Sequence, residues 1–266
     1  MREIKDVKEL RSIQLSILDD VIACCDTNNI HYSLCGGTLI GALRHKGYIP
    51  WDDDIDIYML RKDYDKFLSL YNKEQEAKGS HFRLMSPEIC QNYIYTFGKV
   101  VDTRTKMVED EAPDFEIGVY VDIFAIDYAF DDIIARKKQF RIKGLLYKIR
   151  RCKISRTCFL HSKLAFYIYK LLPISLKHIE RLQRDHVFLR KPTSTICDMH
   201  NAYLKPSCAF PLAAMQEYTD AEFEGRTCKI MAGYDTYLRH TYKGDYMQLP
   251  PESERIHHYF KAWWKK

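Results

Sequence analysis

Three aspartates stand in segments otherwise built of apolar and aromatic residues: Asp54 and Asp56 in WDDDIDIYML, and Asp122 in GVYVDIFAID. Aspartate forms strands poorly and its charge is costly to bury unpaired, so a chemical reason for it is needed. Side chains alternate across a strand, which puts Asp54, Asp56 and Tyr58 on one face and Ile55, Ile57 and Met59 on the other. Two carboxylates on alternate residues, with a third on a neighbouring strand, can hold two Mg²⁺ about 4 Å apart for phosphate transfer. Mn²⁺ would suit the same oxygen donors. Asp52 and Asp53 bring the local count to four carboxylates in five residues, a repulsion that a cation relieves. An acidic turn facing water accounts equally for Asp52 and Asp53, which follow Pro50 and Trp51, but not for Asp122 inside VYVDIF.

Upstream, HYSLCGG reads as a short strand ending on Gly36 and Gly37, and TLIGALRHKG as a helix beginning at Thr38. A glycine pair lets the backbone approach a phosphate, and the first N–H groups of the helix, with the Thr38 hydroxyl, can donate to its oxygens. The same residues also fit a plain strand-to-helix turn with a threonine N-cap. Arg44, Lys46 and Lys99 are candidate phosphate contacts, Lys46 equally a solvated surface lysine.

The remaining pattern supplies elements to position these groups. Leu10, Ile13, Ile17, Leu18, Val21, Ile22 and Cys25 have the spacing of an amphipathic helix, as do Tyr64, Phe67, Leu68 and Tyr71. HFRLMS, YIYTFGKVV, TKMVE and GVYVDIFAID read as strands, giving an α+β fold with a mixed sheet flanked by helices. Three parts are expected: a catalytic core over 1–135, a basic helical insertion over 136–191, and a C-terminal part over 192–266 that completes the domain.

The chain has 266 residues, 46% hydrophobic and 29% charged, which excludes disordered and collagen-like classes. Nine cysteines without a C-x-x-C pair read as reduced thiols. MREIKDVKEL lacks the apolar run of a secretory signal, and Cys158–Leu176 is broken by Lys163, Lys170 and Pro173, so a cytoplasmic protein without a membrane span is expected. The net charge of +5 hides an asymmetry: residues 136–191 carry 17 Lys and Arg against two acids, whereas the rest carries 24 against 34. That acidic remainder would repel a long polyanion, so nucleic acid is not an expected partner. Ile142, Leu145, Leu146 and Ile149, at helical spacing among Arg141, Lys143, Lys148, Arg150 and Arg151, fit either a peripheral contact with anionic membrane or a helix packed on the domain.

The block GGTLIGALRHKGYIPWDDDIDIYMLRKDYDKF resembles the signature of the LicD family, the phosphocholine and phospho-alditol transferases related to fukutin and the fukutin-related protein. The resemblance resumes in FGKVVDTRTK, GVYVDIFAID, EFEG, GYDTYLRHTYKGDYMQLPPESER and His257. It departs at Tyr242-Lys243-Gly244-Asp245-Tyr246-Met247, where a lysine interrupts the family's Tyr-Gly-Asp-Tyr-Met. The resemblance implies a nucleotidyltransferase fold of the polymerase-beta type, with Asp54, Asp56 and Asp122 as the catalytic, metal-binding aspartates. It also implies transfer of phosphocholine or a phospho-alditol from a CDP-linked donor to a sugar hydroxyl of a cell-surface glycan such as lipopolysaccharide or capsule, with release of CMP. Asp122 would share a metal or accept the hydroxyl proton, while Gly36, Gly37, Thr38, Arg44, Lys46, Lys99, Asp52 and Asp245 would serve substrate binding. Two other readings stand beside it: a nucleotidyltransferase that consumes a nucleoside triphosphate and releases pyrophosphate, and a module binding anionic membrane or nucleic acid through the basic segment.

Overall fold

The computed structural model describes residues 1–91, 93–108, 115–201, 204–242, 244–252, 255 and 261–265. Lys243 and His257 lie outside the described residues. After a short strand, β1 (Arg2–Ile4), helix α1 (Val7–Asn28) starts where the Asp6 carboxylate accepts the Lys8 N–H at 2.9 Å and ends at Asn29 in the left-handed region. The expected stripe of α1, from Leu10 to Cys25, is buried except for Ile22, which is partly so. β2 (Ser33–Leu34), α2 (Gly36–His45), β3 (Asp56–Leu60) and α3 (Arg61–Ala77) follow, α3 burying Tyr64, Phe67 and Tyr71.

Next come β4 (Phe82–Met85), β5 (Gly98–Val108) and β6 (Ile117–Ala129). The segments YIYTFGKVV and TKMVE are not two strands: Tyr93, Tyr95 and Phe97 form an aromatic cluster ahead of β5, and the rest is one strand with an irregularity between Asp102 and Met107. That irregularity has a local cause. The Asp102 carboxylate accepts the Arg104 N–H, the Thr105 hydroxyl donates to the Asp102 carbonyl and accepts the Val119 N–H, and Gly118 lets the strands close, since a Cβ there would lie 2.2 Å from the Asp102 oxygen.

The helical segment comprises α4 (Ile133–Ile154), α5 (Lys163–Leu171) and α6 (Leu176–His186). β7 (Thr195–Asp198), β8 (Phe210–Pro211), the hairpin β9 (Tyr218–Phe223) and β10 (Arg226–Met231), α7 (Tyr234–Thr241) and β11 (Lys261–Trp264) complete the chain. The central sheet has nine strands in the order β1-β11-β5-β6-β3-β2, with β4 also on β5, β7 on β6 and β8 on β7. β3 and β6 run parallel and the other pairs antiparallel, so the sheet is mixed as expected. β3 and β6 are buried on both faces, the sheet being covered by helices and by the C-terminal hairpin.

A second apolar cluster, with Phe140, Leu146, Ile149, Ile179 and Val187, joins α4 and α6 to the end of β6 and to β7. The stripe of α4 that could have faced lipid therefore faces protein: Leu146 and Ile149 are buried, Ile142 partly so, and only Leu145 of the four is exposed. Two of the basic residues of α4 are internal as well. Lys143 donates to the Asn201 carbonyl at 2.8 Å, and Arg150 donates to the carbonyls of Tyr93, Ile94 and Tyr95. Among the described residues no helix is long and apolar enough to cross a membrane.

Candidate active site

Strand register brings the dispersed charges together. Lys99 of β5 is paired with Asp122 of β6, and Asp122 with Asp56 of β3, so a cation and two carboxylates form one row across three central strands. Lys99 Nζ lies 2.8 Å from Asp122 Oδ1 and 3.2 Å from the centre of the Tyr120 ring. Both partners of this ion pair are buried, and Lys99 binds a carboxylate in the structure rather than pointing free toward a phosphate.

Asp52, Asp53 and Asp54 form the turn just before β3, and carboxylate oxygens of all three lie within 4.8 Å of one another. Helix α1 holds that turn from behind. Arg11 donates to the carbonyls of Ile49, Pro50 and Asp52, and Gln14 donates to the Asp53 carbonyl at 2.6 Å while accepting the Tyr48 hydroxyl. With its backbone so fixed, the turn holds its three carboxylates close together. Burial, then the Asp54 charge, pushes the Asp52 carboxyl up to about 8. Burial also drives Asp56 well above the usual carboxylate range, followed by repulsion from Asp54, Asp122 and Asp52 and opposed by Lys99.

The glycine pair explains itself at this point. Helix α2 begins at Gly36, two residues earlier than expected, with Cys35 as N-cap and no side-chain cap. Thr38 is thus inside the first turn, where its hydroxyl accepts the Asp56 N–H at 2.9 Å and ties α2 to β3. Gly36 is in the left-handed region at φ 56, and a Cβ there would lie 2.9 Å from Asp56 Oδ2; at Gly37 it would lie 2.5 Å from Asp52 Oδ2. Both carboxylates rest against bare backbone at a helix N-terminus, where the helix dipole favours negative charge. The Gly36 N–H donates to the Tyr237 hydroxyl at 3.1 Å, and the Tyr242 hydroxyl lies beside Gly36. The sequence reading gave no sign of Arg11 or Gln14, and Tyr237 and Tyr242 entered it only within the family-like block GYDTYLRHTYKGDYMQLPPESER, without a role.

The outer candidates sit differently. The Arg44 guanidinium donates to the carbonyls of Tyr246 and Gln248 and to His45 Nε2, which fixes the turn carrying Asp245. Asp245 is exposed and accepts the Met247 N–H within that turn. Lys46, largely exposed, pairs with Glu222 of β9 at 3.2 Å. A separate cavity of about 840 Å³ opens between the far ends of β3 and β6 and helix α6, lined by Arg61, Asp127, Arg184, Phe188, Arg190 and His200. None of the aspartates 52–56 nor Asp122 lines it.

Sequence comparison extends this geometry. The family described as LicD/FKTN/FKRP, nucleotidyltransferase domain, matches residues 29–105, a span that holds Gly36 to Thr38 and the aspartate run but stops short of Asp122. The lipopolysaccharide cholinephosphotransferase LicD of Haemophilus influenzae is 34% identical over 96% of this chain and 96% of its own length. This chain belongs to the LicD family. It is accordingly a transferase with a nucleotidyltransferase-like domain. Shorter similarities run to uncharacterized proteins of Rickettsia typhi, 30% identical over 40% of this chain and 36% of that protein, and of Rickettsia prowazekii, 45% identical over 18% of each.

The LicD-family site fits a divalent cation. Its donors are hard carboxylate oxygens, two of them driven toward the neutral form by burial and then by mutual repulsion, which a cation would relieve, and bare glycines leave room where a Cβ would press on Asp52 and Asp56.

Proposed function

We propose that this LicD-family transferase moves a phosphocholine or phospho-alditol group from a CDP-linked donor to a sugar hydroxyl of a cell-surface glycan and releases CMP. The observation that carries the reading is the pair Asp52 and Asp56 against the Gly36–Gly37 backbone, with Asp54 in the same carboxylate group as Asp52 and Asp122 paired with Asp56 on the neighbouring strand, in a chain similar end to end to a lipopolysaccharide cholinephosphotransferase. Such a donor and a lipopolysaccharide-like acceptor suit that similarity, and a nucleotidyltransferase fold of the polymerase-beta type suits the Gly-Gly-Thr, D-x-D and third-aspartate order.

Asp54 and Asp56 would hold Mg²⁺, with Asp52 and Asp122 adjoining. The cation supplies charge neutralisation for a diphosphate. The chain's own residues do the rest. N–H groups in the first turn of α2 present donors to phosphate oxygens, and the Tyr237 hydroxyl fixes the Gly36 peptide that starts that turn. Asp122, oriented by Lys99, accepts the proton of the sugar hydroxyl. The freed oxygen bonds to the phosphorus bearing the head group, and the bond from that phosphorus to the bridging oxygen breaks, its electron pair leaving with CMP.

Product analysis tests the reading. Purified protein with Mg²⁺, a glycan acceptor and CDP-choline, CDP-ribitol, CDP-glycerol or CTP is expected to release CMP from a CDP-linked donor. Pyrophosphate from CTP, with no CMP from any CDP-linked donor, would replace it with nucleotidyl transfer.

A further inference from the structure

Helix α5 has apolar residues on two faces, and the protein covers only one. Phe166 is buried, and Tyr169 packs beside the second core cluster. On the other side Leu164, Tyr167, Ile168 and Leu171 follow the i, i+3, i+4, i+7 spacing and lie within about a 100° arc. Leu164 is 72% exposed, Ile168 53% and Leu171 78%, with Tyr167 more than half exposed. An outward stripe of this kind is unusual on a protein surface and marks a contact.

The surroundings identify what it touches. α4 packs against α5, Lys153 donating to the carbonyls of Lys170 and Leu172, and the exposed side chains of α4 include Lys137, Arg141, Leu145 and Lys148. Neither α4 nor α5 contains an acidic residue. A protein partner is held by mixed charges at its rim, whereas a predominantly basic field beside an apolar stripe with a tyrosine matches a bilayer with negative headgroups. Lys143 and Arg150 add nothing to this field, since both are buried in bonds to carbonyls, so its charge comes from the exposed residues of α4 and from Lys163 at the start of α5.

We propose that the outer face of α5, with the basic face of α4 beside it, docks the protein on an anionic lipid bilayer. Leu164, Ile168 and Leu171 enter the acyl boundary while Arg141 and Lys148 meet the headgroups. This contact needs no donor or acceptor, so it stands or falls apart from the transfer reaction.

Flotation of the full chain with phosphatidylcholine vesicles, with and without phosphatidylglycerol, tests it. Binding is expected only to the phosphatidylglycerol vesicles and is expected to weaken as salt rises. The triple variant Leu164→Ser/Ile168→Ser/Leu171→Ser and the double variant Arg141→Glu/Lys148→Glu should each lower the bound fraction by about tenfold, with melting temperatures close to the parent because all five side chains are exposed. Absence of parent binding, equal binding to both vesicle types, or variants that bind like the parent would each overturn the proposal. So would an α5-dependent dimer in sedimentation equilibrium that shows no vesicle binding, which would assign the stripe to a second copy of the chain.

Discussion

Asp52 and Asp56 are protonated more readily in the folded chain than in an unfolded one, because burial and their neighbours penalise the charged forms. Raised folded-state values mean that their contribution to apo stability is fully present below the ordinary carboxylate range and is lost as pH rises, for Asp52 through about 8. A cation competes with those protons, so the rise in melting temperature on adding Mg²⁺ should grow from about pH 6 to about pH 9. Differential scanning fluorimetry at fixed Mg²⁺ checks this, and a pH-independent shift would count against the carboxylates as ligands. Asp56→Asn removes one repelling charge: the apo melting temperature is expected to rise by about 2–4 °C while the Mg²⁺ shift disappears. Gly37→Ala is expected to displace Asp52, because the new Cβ would lie 2.5 Å from its Oδ2, and to weaken Mg²⁺ binding in titration calorimetry. Asp56 and Asp122 stood out in the sequence because a charge inside an apolar strand has few structural explanations; Asp54, expected on the same strand as Asp56, lies instead before β3 begins. The glycines were legible as permissive backbone, but not as the surface on which the carboxylates rest, since that needs the approach of α2 to the turn at 52–54.

At the scale of elements, the row Lys99–Asp122–Asp56 exists because β5, β6 and β3 are adjacent and in register. β6 and the apolar part of β3 were readable from their own patterns, and β5 only as two pieces; their adjacency was not, because pairing partners are set by topology and not by local spacing. Lys99 thus read as a phosphate contact and stands in the fold as the partner of Asp122. Lys99→Met leaves a buried carboxylate uncompensated and is expected to cost about 3–5 kcal/mol by chemical denaturation. The double variant Lys99→Met/Asp122→Leu should regain most of that stability yet show no CMP release, separating the structural pair from the chemistry of Asp122. GKVV and TKMV, expected in separate strands, are continuous in β5 for a related reason: the irregularity after Asp102 is absorbed as a bulge by Thr105 and Gly118. Tyr237→Phe removes the acceptor of the Gly36 N–H and should cost about 1 kcal/mol, with a fall in kcat larger than the change in donor KM if that peptide orients the phosphate.

Across the whole molecule, the charge asymmetry along the chain becomes a division of labour. The acidic body holds the carboxylate site, and the helical segment holds the basic surface, minus the cations that α4 spends on backbone carbonyls of the body. Composition alone could not separate those buried cations from the exposed ones, nor the inward stripe of α4 from the outward stripe of α5, because periodicity shows that a helix has an apolar face and not what covers it. The C-terminal part was legible as helix and aromatics, but its roofing of β3 through Tyr58 and Tyr237, whose ring centres lie 5.5 Å apart, joins residues far apart in sequence. The most direct test of the account follows CMP formed from CDP-choline, CDP-ribitol and CDP-glycerol by the parent chain and by Asp54→Asn, with Mg²⁺ and with a chelator. The account requires Mg²⁺-dependent CMP release from one of these donors, lower by about a thousandfold in Asp54→Asn and absent with the chelator; CMP release unchanged by the substitution or by metal removal would contradict it.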